Sequence, residues 1–184
     1  CCSSCRGAIC STIPCAYTGW FVFISFIPAT ALVAKVVPVK NITAIVSVTD
    51  SGGSTGMLRN EFDILALGDL RKCILALSNT NQLTNEIFNY RFSSNGNLSN
   101  HNLGNLIMAA LIDIKKSEEL AINETSRILN IGGRVFPCTL TKCHLYAKLE
   151  NGQIIKEEEN IDVPKHNPKL KIEKVFLDKE AKLF

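Results

Sequence analysis

A surplus of one charge, an unbroken membrane-length apolar run and a phosphate-loop lysine are all lacking in this chain. Twenty basic residues face 17 acidic ones, giving a formal net charge of +3, with the two signs interspersed. That excludes the basic stripe or patch that a nucleic-acid binder needs. The longest apolar stretch, Trp20 to Ala34, is broken by Pro28 and ended by Lys35, short of the roughly 20 residues that cross a bilayer. Eleven glycines and six prolines are too few for a collagen-like or low-complexity chain. What remains is 184 residues, 46% hydrophobic: enough for one domain with a small appendage.

Cysteine is unevenly spread. Cys1, Cys2, Cys5, Cys10 and Cys15 crowd the start, whereas only Cys73, Cys138 and Cys143 lie in the body. A secreted disulfide scaffold distributes its cysteines through a short, loop-rich chain. An apolar, periodic body with few thiols fits a reducing compartment, and a cytoplasmic protein is expected. Cys138, Cys143 and His144 could be zinc ligands but lack the spacing of a standard site, and buried structural thiols are the plainer reading.

Residues 1–39 are unlike the rest. Three readings are open for this Cys- and Phe-rich segment: an anchor or signal, a native buried strand, or an artefactual stretch such as an out-of-frame read. The absence of an initiating methionine leads us to expect a piece of a natural product.

From residue 40 to residue 184 the pattern is orderly. Ile42 to Val48 is a β-branched apolar run, as in a buried parallel strand. Thr49 to Gly56 reads as a loop of glycine and small polar residues. Helices are expected over Asp69–Leu77, Leu83–Phe92, Asn105–Ile114 and Ser117–Leu129. Cys143 to Glu150 and Gln153 to Ile155 flank Asn151-Gly152, a hairpin signal in which both turn residues take positive φ. Lys169 to Leu177 alternates as a last strand, and Glu157 to Glu159 reads as solvated loop. The order argues an α/β fold: a Rossmann-like parallel sheet with helices, plus a small antiparallel hairpin unit.

Three segments carry the residues of a binding site. Asp50, Gly52, Gly53 and Gly56, with Arg59 after them, follow a strand at the position where open α/β sheets bind ligands. Glycines admit a phosphate close to backbone N–H groups, Arg59 offers charge-assisted hydrogen bonds, and Asp50 suits a sugar hydroxyl or a metal. The alternative is a tight turn with a surface arginine. Gly68, Asp69 and Arg71 open a helix; a cap with an exposed arginine is the plainer reading. His101, Asn102, Gly104 and Asn105 surround the start of an apolar helix, where Gly104 costs about 1 kcal/mol of helix stability relative to alanine. Either a ligand or another helix approaches there, or the segment is simply a cap. Ser54 and Ser99 lie near glycines without a nucleophile-elbow pattern.

Taken in order, these segments resemble one family. Residues Asn41 to Gly56 resemble the strand and Asp-Asp-Gly-Gly-Ser-Ser-Gly loop of the gluconeogenesis-factor and 2-phospho-L-lactate-transferase-like family. Leu67-Gly-Asp-Leu-Arg-Lys-Cys73, Tyr90-Arg-Phe92, Asn100-His-Asn-Leu-Gly-Asn-Leu106 and Ile131-Gly-Gly-Arg-Val-Phe-Pro137 are similar to its other motifs. The wording is closer to the bacterial branch. The resemblance implies a Rossmann-like fold and a nucleotide site lined by Asp50, Gly52, Gly53, Gly56, Arg59, Gly68, Asp69, Arg71, His101, Asn102, Gly104 and Asn105. It implies a UDP-sugar or NAD-like nucleotide as ligand, a regulatory role in gluconeogenic carbon use, cell shape and envelope growth, and a homo-oligomer with neither nucleic-acid nor membrane partners. Its other branch transfers a phospholactyl group to a deazaflavin, for which Mg is the implied cofactor. The family's opening Gly-Gly-Gly-Thr-Gly loop has no counterpart before Asn41. Ser51 stands where the family has a second acid, and Asn100 and Asn102 replace Gly and Ser.

Overall fold

Strand β2 (Ile42–Val46) is β-branched at four of its five positions, which favours extended backbone. It is the middle of a parallel sheet, with β1 (Trp20–Ile24) on one side and β3 (Arg134–Pro137) on the other. The computed structural model describes residues 20–24 (backbone only), 42–93, 95–163, 167 and 169–184. Of the amino-terminal segment, only Trp20–Ile24 therefore falls within the described residues. It pairs with β2 from Trp20↔Ile42 to Ile24↔Val46, as a native strand would. The remainder of that segment, and the place where the family's first glycine loop was sought, lie outside the described residues.

Between β2 and β3 run α1 (Gly53–Phe62), α2 (Leu67–Ala76), α3 (Gln82–Asn89), α4 (Leu103–Lys115) and α5 (Glu118–Ile128). Alternation along β2 sends Ile42, Ala44 and Val46 into one core with Leu70, Ile74, Met108 and Leu129. Each large apolar side chain buried there contributes about 1.5–3 kcal/mol relative to exposure. The helix starts follow from their caps. Asn81, Asn102 and Ser117 accept from the backbone N–H groups of Thr84, Asn105 and Leu120, satisfying donors the helix leaves orphaned. Glu118 and Glu119 sit in the first turn of α5, where the helix dipole favours acids. Asp63 and Lys116 stop α1 and α4 in the left-handed conformation.

The second unit is an antiparallel sheet in the order β5 (Ile154–Lys156), β4 (Leu145–Leu149), β6 (Ile172–Leu177), with the short helix α6 (Glu158–Asp162) beside it. Its own core is small: Ala147, Leu149 and Ile155, joined by Ile161 and Leu170. The α/β class and the hairpin appendage are as read from the sequence. Among the described residues no helix is long and apolar enough to cross a membrane.

Several local expectations are corrected. The glycine segment is loop only to Gly52. Gly53 starts α1 with φ of +50°, which glycine adopts freely, so the chain turns straight into a helix. The third helix ends at Asn89 because Tyr90 turns extended and its carbonyl accepts from Leu103 N–H (2.8 Å). The Asn-Gly turn has positive φ at Gly152 alone. Leu149 O accepts from Gly152 N–H and Leu149 N–H donates to Gln153 O, giving a three-residue loop with a left-handed glycine. Glu158 and Glu159 open α6 instead of lying in a loop.

Candidate nucleotide site

The carboxyl end of β2 leads directly into the site. Asp50 folds back so that its Oδ1 accepts from Gly52 N–H at 2.9 Å, an Asx turn that fixes the carboxylate beside the first turn of α1. Helix α2 starts against the same point. A Cβ built on Gly68 would lie 2.5 Å from Thr55 Oγ1 and 3.3 Å from Asp50 Oδ2. The glycine is what lets the first turns of α1 and α2 meet over Asp50. Neither helix has a side-chain cap: the residues before them, Gly52 and Ala66, offer no oxygen to the first-turn N–H groups. Two bare helix starts converge on one carboxylate, so their orphan N–H groups and a hydroxyl-accepting group share one corner.

Helix α4 brings the third wall. Ser54, on the first turn of α1 and only 3% exposed, has its Oγ 3.3 Å from His101 Nδ1 and accepts from Asn102 N–H at 3.2 Å. Asn102 in turn caps α4 and donates through Nδ2 to Tyr90 O at 3.1 Å. The close approach suspected at Gly104 is to other protein atoms. Its would-be Cβ lies 2.5 Å from Phe88 O and 2.6 Å from Arg71 Cδ.

The two arginines are more internal than their sequence positions imply. Arg59 is 5% exposed; its Nη1 donates to Thr49 O (3.4 Å) and Asp50 O (3.5 Å), and its Nη2 to Cys143 O. It clamps the Asp50 loop to the start of β4. Arg71 is 4% exposed. Its Nε donates to Asn105 Oδ1 (2.9 Å), and Nη1 to Phe88 O (2.8 Å) and Asn89 Oδ1 (3.0 Å), closing the carboxyl end of α3. Burial, reinforced by the Arg91 charge and opposed by Asp69, pushes the Arg71 guanidinium down to about 10.

Electrostatically the corner is acidic. Burial raises the Asp69 carboxyl above its ordinary value; Lys72, 3.3 Å away, pulls it back, and Asp50 adds to the rise. Glu158 of α6 is raised too, first by burial, then by Asp50, Asp162, Asp69 and Glu159. The short helix therefore belongs to the rim, and Glu159 N–H donates to Ser51 Oγ at 3.2 Å. Among the described residues no three Asp, Glu, His or Cys side chains are grouped so as to hold a metal ion. Burial also raises the thiols of Cys73, to about 12, and Cys143, so neither is a ready nucleophile.

Of the twelve residues singled out from the sequence, Asp50, Gly52, Gly53, Gly56, Gly68, Asp69, His101 and Asn102 lie at or just before the starts of α1, α2 and α4, whereas Arg59 is in the last turn of α1 and Arg71, Gly104 and Asn105 pack against one another and the end of α3. Sequence reasoning set Ser54 aside for want of a nucleophile-elbow pattern, read Glu158 as solvated loop and passed over Thr55. Thr55 is 6% exposed, and its hydroxyl sits over Gly68 without a hydrogen bond to any described residue. The signal that could have found Ser54 and Thr55 is their place inside the glycine segment, on the first turn of the helix.

The family described as 2-phospho-L-lactate transferase CofD matches residues 27–183. The gluconeogenesis factor of Bacillus subtilis strain 168 is 40% identical over 140 residues, 76% of this chain and 43% of that protein. The gluconeogenesis factor of Listeria monocytogenes is 42% identical over 141 residues, 76% and 42% of the two. The chain spans less than half the length of these curated relatives. A crystal structure of protein BH3568 from Bacillus halodurans superposes with a TM-score of 0.81 at 34% identity, over 91% of this chain and 54% of that one. Another, described as a UPF0052 family member, gives 0.75 at 37% identity over 84% and 49%. With most of its length matched in this way and its fold shared with these structures, the chain belongs to the 2-phospho-L-lactate transferase CofD family, among relatives named gluconeogenesis factor.

Proposed function

We propose that this chain carries the ligand-binding corner of a nucleotide-sugar-binding regulator of carbon metabolism, cell shape and envelope growth. The observation that carries the reading is the convergence of the uncapped starts of α1 and α2 on Asp50. Backbone N–H groups would take the diphosphate. Asp50 Oδ2, without a hydrogen-bond donor among the described residues, would accept from a ribose or sugar hydroxyl. Arg59 and Arg71 support this indirectly: with their donors spent on carbonyls and amides, they hold the walls. The relatives named gluconeogenesis factor support the regulatory half.

Isothermal titration of UDP-glucose and NAD into the chain tests it. Asp50→Ala should weaken binding about tenfold, as loss of one hydrogen bond to a charged group does. Binding left unchanged by Asp50→Ala, or absent for both nucleotides in folded protein, would end the reading.

The family's transferase activity is the second reading, favoured by the acidic setting of Asp50, Asp69 and Glu158. Turnover of a guanylyl-phospholactate donor with a deazaflavin acceptor, lost in Asp50→Asn, would establish it. Folded protein that binds both compounds without forming product would exclude it.

A further inference from the structure

His101 is the least explained polar group in the corner. It is 6% exposed, yet its one side-chain hydrogen bond among the described residues is the one between Nδ1 and Ser54 Oγ. Nε2 has no described partner. Buried polar groups in native proteins are nearly all hydrogen-bonded, so each exception calls for a reason.

Ser54 decides which ring nitrogen carries the proton. Its oxygen already accepts from the Asn102 backbone N–H at 3.2 Å. The hydroxyl proton then has one acceptor in reach among the described residues, His101 Nδ1 at 3.3 Å. Were Nδ1 protonated instead, the Ser54 hydroxyl would be a donor 3% exposed with nothing to donate to, costing about 1–3 kcal/mol. The relay runs from Asn102 N–H to Ser54 O–H to His101 Nδ1, leaving the ring proton on Nε2. Setting a tautomer through the hydrogen bond at the other nitrogen is a common use of a neighbouring group.

We infer that Ser54 is a positioning residue that holds His101 as the Nε2–H tautomer, and that this N–H is a fixed donor for an acceptor oxygen of the bound ligand. The ligand half rests on the nucleotide reading above; the tautomer half does not. The ring stands at the edge of the corner: its Nδ1 lies 3.3 Å from the Oγ of Ser54, on the first turn of uncapped α1, and Asn102 beside it caps α4. The group it takes must offer a lone pair: a phosphate, carbonyl or hydroxyl oxygen that accepts.

Nitrogen-15 NMR of the histidine-labelled chain at mildly alkaline pH tests the inference. Without ligand, His101 should show the Nε2–H pattern alone. Ser54→Ala should convert it to a tautomer mixture and weaken UDP-glucose binding about tenfold, whereas Ser54→Thr should restore both. Added UDP-glucose should move the Nε2 resonance more than Nδ1. An Nδ1–H pattern in the wild type, or an unchanged one in Ser54→Ala, overturns the tautomer half. Binding that leaves Nε2 unmoved overturns the ligand half. If neither UDP-glucose nor NAD binds at all, the nucleotide reading falls and takes the ligand half with it, while the spectrum still decides the role of Ser54.

Discussion

The two sheets of this protein are built on opposite terms. Around β2 both apolar and polar side chains are buried: Ala44, Leu70 and Met108 lie in the same layer as Arg59, Arg71 and Asn102. Around β4 the core is a few apolar residues of β4 and β5 with neighbours from α6 and the chain before β6, while every residue of β6 but one is exposed. The difference teaches where function can be mounted. A buried polar side chain is held in one geometry only when all its neighbours are packed, so the large core can carry a precise corner. The small sheet supplies α6 as a rim.

The comparison breaks most visibly at Arg71. Arg71→Ala removes a guanidinium that satisfies Phe88 O, Asn89 Oδ1 and Asn105 Oδ1. It should cost about 3 kcal/mol in urea denaturation, because three acceptors lose their donor at once and each buried one left unsatisfied costs about 1–3 kcal/mol. Arg71→Lys should recover little, because one ammonium cannot reproduce the fork. A cost below about 1 kcal/mol, the scale of a surface substitution, would mean that the arginine is not the keystone of the α3 end.

Glycines sharpen the same contrast. Gly104→Ala drives a methyl into Phe88 O and Arg71 Cδ, and such overpacking should cost about 1–3 kcal/mol. Gly152, in the hairpin of the small sheet, has nothing within 4 Å of its would-be Cβ and only a φ of +84° against substitution. Gly152→Ala should cost about 1 kcal/mol. Equal costs at the two sites would say that packing density does not separate the two units.

What was legible in the sequence divides along the same line. The strand over Ile42–Val46 and the helices α2 to α5 announce themselves through β-branching, periodicity and caps, which are local. The candidate residues were singled out as a group through motif order. Helix α1 was hidden because Gly53 and Gly56 are poor helix formers, and only the fit of its first turn against Gly68 and Ser51 makes it worthwhile. The clamping roles of Arg59 and Arg71 could not be read, since their partners, Cys143 O and Phe88 O, lie 84 and 17 residues away. The alternation expected over Lys169–Leu177 did report a strand, which pairs with β4 from Leu145↔Leu177.

The smallest expected effect lies where the two units meet, and it has the opposite sign. As a first-turn residue of α6, Glu158 should gain from the helix dipole. Its carboxyl is nevertheless raised, so burial and the charges of Asp50, Asp162 and Asp69 outweigh that gain. A carboxyl raised on folding binds its proton more tightly in the folded state, so stability falls as pH climbs from the ordinary glutamate value through the folded one. At neutral pH the ionised Glu158 therefore works against the fold. Glu158→Gln should raise the melting temperature slightly at neutral pH, and the gain should fade as pH drops below the ordinary carboxylate range. A loss of stability at neutral pH, or a gain that persists in acid, would mean that α6 does not press its acid against the Asp50 corner. The rim would then belong to the small sheet alone.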